Sequence, residues 1–93
     1  AVKGVSVVQS DAWTCMGKES ESKKRLAAFA GFTVDGAMMA LAAPDAIVLH
    51  CLPAHRGEEI SAEVLEGAQS RVWQQAENRM HAQKALLEIL LPT

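Results

Sequence analysis

Aromatic residues are scarce in this 93-residue sequence, which contains two Trp, two Phe and no Tyr. Nearly half of the residues are hydrophobic, yet sixteen of them are Ala, so few large side chains are available to fill a core. A chain of this length forms at most one domain and buries only about 60–65% of the surface that its unfolded form exposes. We therefore expect one small domain with a thin core and little stability of its own.

Strong charge of one sign and long apolar runs are also lacking. The formal net charge is -2, with acidic and basic residues mixed along the chain. Neither a basic face for nucleic acid nor an acidic tail is predicted. No apolar run approaches the roughly 20 residues of a membrane span. Residues 1–4 carry neither a signal-peptide pattern nor a transit-peptide composition, and we expect the start to be a cut inside a domain.

Cysteine is almost as rare as the aromatic residues. The two cysteines, Cys15 and Cys51, stand far apart in the sequence. One disulfide between them is conceivable, but small disulfide scaffolds are usually much denser in cysteine. The sequence favours two free thiols in a reducing compartment.

The most informative stretch is residues 50–59, HCLPAHRGEE, called the signature segment below. It begins where the apolar run Ala46–Leu49 stops. That run is short, rich in β-branched residues and not alternating, which is typical of a strand buried on both faces of a parallel sheet. Pro53 cannot donate to a sheet and ends the strand. The polar residues of the signature segment are therefore predicted to lie at the carboxyl end of a strand, where open α/β sheets bind ligands.

A second strand is predicted from Gly4 to Gln9, and Asp11 follows its end. The carboxyl ends of parallel strands open on one edge of the sheet, so Asp11 and Cys51 should converge. If the two strands are neighbours, we expect these side chains within about 6 Å, where the carboxylate raises the pKa of the thiol. The alternative from the residues alone is that Asp11 only caps a turn or helix.

Helical patterns lie between and after the predicted strands, which together indicate an α/β fold with a mainly parallel sheet and flanking helices. Residues 17–24 are polar and predict an exposed loop. The predicted helices are 24–30 ended by Gly31, 36–43 capped by Asp35, a short helix capped by Ser61 and ended by Gly67, and a last helix from Ala76 to Pro92. Residues 70–73 are expected to form a last strand or an extended turn.

A Cys beside a His allows three interpretations: a nucleophile with its base, a metal ligand, or a polar contact in a small-molecule site. Adjacent residues on a strand point to opposite faces, so His50 is badly placed to act as base for Cys51. The spacing of His50, Cys51 and His55 matches no zinc pattern, and we expect no metal. A thiol that contacts a ligand is the interpretation left.

The signature segment closely resembles that of ornithine carbamoyltransferases. Residues 11–17, DAWTCMG, resemble the ornithine-binding DxWxSMG loop of that family, and residues 76–87 resemble its closing helix. Subunits of the family are much longer than this chain, and their phosphate-binding STRTR motif does not occur here. The resemblance implies that residues 1–93 are the carboxyl-terminal part of a Rossmann-like ornithine-binding domain, without the carbamoyl-phosphate domain.

The reaction implied is attack by the δ-amino group of L-ornithine on carbamoyl phosphate, giving citrulline and phosphate without a cofactor or metal. By resemblance, the amino-acid end of ornithine is bound by Asp11, Cys15 and Met16. Cys51 then lies beside the amine, and Leu52 offers its carbonyl to the carbamoyl nitrogen. Arg79, at the start of the closing helix, reaches the carbamoyl phosphate. The family usually has Ser at the position of Cys15, which replaces a hydroxyl donor by a weaker thiol donor.

A purely structural interpretation is also open for two of these residues. In it, Met16 fills space in the core, and Arg79 is a surface residue paired with Glu77. The resemblance further implies the amino-terminal remainder of the subunit as a partner, a trimer-based homo-oligomer and a cytoplasmic location. It also suggests a cis Leu52–Pro53 bond in a tight turn.

Other hypotheses for the function are a non-catalytic fragment retained for binding or assembly, and carbamoyl transfer to another amine such as putrescine. The loop at Asp11 argues against putrescine, because a simple diamine lacks the α-amino-acid group whose ammonium the Asp11 carboxylate is expected to bind.

Overall fold

The computed structural model describes residues 1–14 and 19–92. Two short strands alternate with helices along these residues, which confirms the predicted α/β class. The elements in chain order are β1 (Val7–Ser10), a turn of 3-10 helix (Glu19–Glu21), α1 (Ser22–Ala28), α2 (Gly36–Leu41), β2 (Ile47–His50), α3 (Ala62–Leu65) and α4 (Val72–Leu90).

The two strands pair in parallel, as the sequence predicts. Their register matches Val7 with Ile47 at one end and Ser10 with His50 at the other, so both strands end at the same level. On its other side β2 meets the segment before α4, where the Val48 amide donates to the Gln69 carbonyl at 2.9 Å. Strand β2 is therefore bonded on both sides, to β1 and, through an isolated bridge, to the segment before α4.

Burial differs between the two faces of β2. Val48 is fully buried and His50 is 1% exposed, whereas Ile47 and Leu49 on the opposite face are only half-buried. The expectation of a strand buried on both faces is thus met on one face and incompletely on the other. The core lies on the Val48 face and consists of small and branched apolar side chains: Val8, Val34, Met39, Ala42, Ala46, Val48, Ile60, Val64, Leu65 and Val72.

Two helix starts follow the predicted capping chemistry. The Asp35 carboxylate accepts a hydrogen bond from the Met38 amide at 2.9 Å, and the Ser61 hydroxyl accepts one from the Val64 amide at 3.3 Å. Each bond satisfies an amide that the first helical turn leaves without an internal partner. Gly31 has the predicted left-handed conformation, with a φ of 91°, but α1 ends at Ala28 and Phe29 is its cap, so the predicted end of this helix at Gly31 is wrong.

The predictions for the last part of the chain need correction. Ser70 forms an isolated parallel bridge with Val48, but Val72 and Trp73 begin α4 and are not extended. The helix therefore starts four residues before the predicted Ala76. Val72 is fully buried and Trp73 is 55% exposed, an in-out pair that imitates the alternation of a strand over two residues.

The predicted apolar side of α4 is present but uncovered. Beyond Gln75 every described residue of the helix is exposed, including Met80 and Leu90 at 62% and 67%. The described residues form no helix with the length and apolar character that crossing a membrane requires.

Candidate active site

The carboxyl ends of β1 and β2 bring together the two residues that the sequence singled out. Asp11 follows β1 directly, Cys51 follows β2 directly, and the paired register aligns these positions. The Cys51 thiol donates to Asp11 Oδ1 at 2.9 Å. The predicted convergence within about 6 Å is therefore confirmed, although 40 positions separate the two residues.

The contact between Asp11 and Cys51 shifts both pKa values. The pKa of the Asp11 carboxyl is lowered, first by the hydrogen bond from the thiol and then by one from the Ala12 amide. The pKa of the Cys51 thiol is raised, first because the carboxylate accepts its proton in a hydrogen bond and next because the thiol is partly buried. The positive charge of Arg79 acts in the opposite direction on Cys51. The site thus pairs a carboxylate with a thiol held in its neutral form.

Alkylation of Cys51 tests this pairing. Because only the thiolate attacks iodoacetamide, we expect the half-maximal rate at a higher pH in the folded chain than in the same chain in urea. The raised pKa means that the protonated thiol favours folding at low pH, and this contribution is lost as the pH rises through the folded-state value. Measuring in a Cys15→Ser background, which restores the family's usual residue, isolates Cys51.

The matched variant is Asp11→Asn in the same Cys15→Ser background. It removes the negative charge beside the thiol, so the midpoint for Cys51 should move down. A folded-state midpoint at or below the value in urea, or a midpoint that Asp11→Asn leaves unmoved, would show that the carboxylate does not control this thiol.

The loop after β1 is held by α1. Arg25 donates to the Trp13 carbonyl at 3.2 Å and is also paired with Glu21 at 3.2 Å. The Trp13 ring lies against Phe29, with ring centroids 5.7 Å apart. Helix α1 therefore fixes the course of the chain just after Asp11. The predicted ligand contacts Cys15 and Met16 lie outside the described residues.

The chain turns sharply after Cys51. The Leu52 amide donates to Nδ1 of His50 at 2.8 Å, and Leu52 has a φ of 56°, in the left-handed region that residues other than glycine rarely adopt. The Leu52–Pro53 bond is cis, which confirms the prediction. The turn leaves Leu52 half-buried beside Cys51.

His50 points away from Cys51, into the buried face of the sheet. Its Nε2 lies 2.8 Å from Oε1 of Glu59, and both side chains are fully buried. Glu59 Oε1 also accepts from the His55 amide at 2.8 Å. Sequence reasoning placed His50 on the opposite face correctly but did not single out Glu59. Two adjacent glutamates end the signature segment, and nothing local distinguishes the buried one from the half-buried Glu58.

Arg79 is the eighth residue of α4, so the expectation that it stands at the start of the closing helix is wrong. One turn earlier, Gln75 accepts a hydrogen bond from the His50 amide at 2.9 Å, which ties α4 to the end of β2. Among the described residues Arg79 forms no ion pair, and Glu77 is paired with His81 at 3.3 Å instead. Arg79 and Ile47 line a groove of about 570 Å³ between helix and sheet.

Among residues 1–14 and 19–92, one group of side chains has ligand atoms close enough together for a metal ion. His50 and Cys51 face opposite sides of the sheet, so they do not share an ion. The ligand atoms of His55, Glu58 and Glu59 lie within 4.8 Å of one another, with His55 Nδ1 3.7 Å from Glu59 Oε2. Oε1 of Glu59 accepts two hydrogen bonds, whereas Oε2 and His55 Nδ1 are buried without a hydrogen-bond partner among the described residues.

The ends of two parallel strands thus hold a carboxylate and a neutral thiol, and Arg79 of α4 is near enough for its charge to act on the thiol. The family model described as "Aspartate/ornithine carbamoyltransferase, Asp/Orn binding domain" matches residues 1–90, and the chain belongs to this family.

Individual relatives agree with the family match. The chain is 63% identical over 91 residues to the ornithine carbamoyltransferase of Methylococcus capsulatus, covering 98% of this chain and 30% of that protein. It is 65% identical over 88 residues to the enzyme of the same name from Sorangium cellulosum, covering 95% of this chain and 28% of that protein. The crystal structure of the anabolic ornithine carbamoyltransferase from Campylobacter jejuni superposes with a TM-score of 0.88 at 44% identity, covering 97% of this chain and 30% of that one. The chain thus spans about 30% of the length of its relatives.

Proposed function

We propose that residues 1–93 are the carboxyl-terminal part of the ornithine-binding domain of an enzyme that carbamoylates L-ornithine. The observation that carries this proposal is the contact between Cys51 and Asp11 at 2.9 Å. It sets a carboxylate, able to bind an ammonium group, beside a neutral thiol that neither repels an incoming amine nor attacks the carbamoyl group. The names of the relatives support ornithine as the amino compound.

The reaction needs positioning and charge stabilisation and no covalent enzyme intermediate. The neutral δ-amine attacks the carbonyl carbon of carbamoyl phosphate, a C–N bond forms, and the C–O bond to phosphate breaks with its electron pair leaving on phosphate. Asp11 binds the α-ammonium of ornithine, the Cys51 thiol lies beside the δ-amine, and the proton that the amine loses leaves with the phosphate as hydrogen phosphate. The Leu52 carbonyl accepts a hydrogen bond from the carbamoyl nitrogen, and Arg79 offsets negative charge on the carbamoyl phosphate.

The resemblance adds Cys15 and Met16 to the ornithine contacts. It also supplies what residues 1–93 do not contain, because the STRTR phosphate motif belongs to the amino-terminal domain of the family. We accordingly propose the amino-terminal remainder of the subunit as the partner that completes the site. A trimer-based homo-oligomer in the cytoplasm follows from the same resemblance.

A chimeric subunit tests this function. The amino-terminal part of the Methylococcus capsulatus enzyme, fused to this chain in place of its own matching 91 residues, should form citrulline from ornithine and carbamoyl phosphate. The 93-residue chain alone should form none, because Arg79 by itself does not replace a phosphate-binding domain. Citrulline formed by the isolated chain would contradict the division of the site.

The controls separate folding from function. A chimera that folds and binds carbamoyl phosphate but forms no citrulline would contradict the proposed activity and favour a fragment retained for binding or assembly. The same chimera offered putrescine should turn over far more slowly than with ornithine, since putrescine lacks the α-ammonium that Asp11 binds. Equal rates with both amines would exclude that role for Asp11.

A further inference from the structure

We propose that His50 and Glu59 form a buried positioning pair that fixes the Cys51–Leu52 turn and takes no part in proton transfer. This inference rests on the proposed function, because the turn aims the Leu52 carbonyl and the Cys51 thiol at the substrates. It adds two residues that never touch substrate to those that do.

The first observation is burial. His50 is 1% exposed and Glu59 is 0% exposed, and they are the two polar residues in the described part of the chain that are buried as whole residues. Burying a carboxylate is costly unless hydrogen bonds replace its water. Here Oε1 of Glu59 receives two, from His50 Nε2 and from the His55 amide, each at 2.8 Å, while Oε2 is buried without a partner among the described residues. The pair therefore ties the first residue of the signature segment to its last.

The second observation is the tautomer that the hydrogen bonds require. The Leu52 amide donates to His50 Nδ1 at 2.8 Å, so Nδ1 carries a lone pair and no hydrogen. The hydrogen is then on Nε2, which donates it to Glu59. Both ring nitrogens are occupied on the buried face, and Cys51 lies on the other face against Asp11. No ring atom of His50 is left to exchange a proton with the thiol.

The third observation is how firmly residue 50 is held. Its backbone amide donates to Gln75 of α4 at 2.9 Å, and its ring contacts Glu59 and the Leu52 amide. The bond from a side chain to the amide two residues later has the form of an Asx turn, with an imidazole in place of Asn. It supports the positive φ of Leu52, a conformation that persists only where its surroundings hold it.

Two substitutions at residue 50 test separately the two contacts of the His50 ring, with the Leu52 amide and with Glu59. In His50→Asn the side-chain oxygen can still accept from the Leu52 amide but does not reach Glu59. In His50→Gln the longer amide can still donate to Glu59 but does not close the turn. If the contact between His50 and the Leu52 amide positions the site, kcat of the complete chimeric subunit should fall about 100-fold in His50→Gln, the loss caused by misplacing a reacting group by about 1 Å. It should fall only a few-fold in His50→Asn.

The other variants provide the controls. Glu59→Gln keeps an acceptor oxygen for both donors and should retain kcat within a few-fold, although the negative charge is gone. His81 makes the same type of pair with Glu77 on the exposed surface of α4, so His81→Asn and His81→Gln should leave kcat unchanged. Thermal denaturation of each variant reports loss of folding separately from loss of kcat.

Three outcomes would overturn the inference. Equal losses of kcat in His50→Asn and His50→Gln, with Glu59→Gln equally impaired, would indicate proton transfer through the pair. Unchanged kcat in both His50 variants with only a lower melting temperature would indicate a purely structural role. Nitrogen NMR of the unsubstituted protein should show the hydrogen of His50 on Nε2 alone, and a hydrogen on Nδ1 would contradict the turn. This last reading tests the pair even if the chimera forms no citrulline, a result that would count against the proposed function only.

Discussion

Replacing Asp11 by Asn in the complete chimeric subunit raises the KM for ornithine about 10- to 100-fold, the usual loss for a charged hydrogen-bonding partner. The reason is that the carboxylate is exposed at the edge of the sheet, where we propose that it binds the ammonium of ornithine. The KM for carbamoyl phosphate should stay within about two-fold, because the proposed function assigns the binding of that substrate to other groups. Steady-state kinetics with each substrate varied in turn give both constants.

Asp45 provides the matched control for Asp11. It is an exposed aspartate in the turn before β2, at the edge of the sheet opposite the carboxyl ends of the strands. Asp45→Asn should change neither KM. Equal increases in both KM values in Asp11→Asn would mean that Asp11 acts only as a cap that keeps the loop in place, and the role of Asp11 in ornithine binding would have to be abandoned.

Replacing Arg79 by Gln has the second large effect. We expect kcat/KM for carbamoyl phosphate to fall about 100- to 1,000-fold, the range found when one group that stabilises transition-state charge is removed. The physical reason is that Arg79 lines the groove beside β2 and forms no ion pair with a carboxylate among the described residues, so its charge is available to an anion there. Arg79→Lys should recover only part of the loss, since an ammonium does not reproduce the two-pronged contact of a guanidinium.

Lys84 is the control for Arg79 on the same helix. It lies five residues further along α4, about 140° around the helix axis, and is exposed. Lys84→Gln should leave kcat/KM for carbamoyl phosphate within about two-fold. If Arg79→Gln also had so small an effect, the positive charge of α4 would be a surface feature, and the phosphate would have to be bound entirely by the amino-terminal domain.

The strand ends were predictable from the sequence because the physics is local. A short run of β-branched residues followed by a polar residue marks the carboxyl end of a buried strand, and two such runs place Asp11 and Cys51 at one edge. The caps Asp35 and Ser61 were predictable for a similar reason, since a side-chain oxygen three residues before the bonded amide is a short-range signal.

Other features depend on tertiary contacts that local patterns do not contain. Val72 packs in the core, and α4 starts there, earlier than the local sequence pattern predicts. The apolar side of the same helix is exposed. Glu59 differs from Glu58 only in which way the chain faces after the turn at Gly57, whose φ is 87°. The sequence therefore predicts the residues that meet at the strand ends better than the buried pair that supports them.

The parallel pairing of β1 and β2 also determines how damage to the fold reaches the site. Residues 11–46 connect the strands, and closing a loop of that length costs about 3 kcal/mol of chain entropy plus a constant. No local segment holds both Asp11 and Cys51, so their contact forms only when this loop closes and disappears entirely when it opens. A core substitution that loosens the sheet, such as one at Val48, thus reduces the number of competent molecules and leaves the affinity of those that remain unchanged.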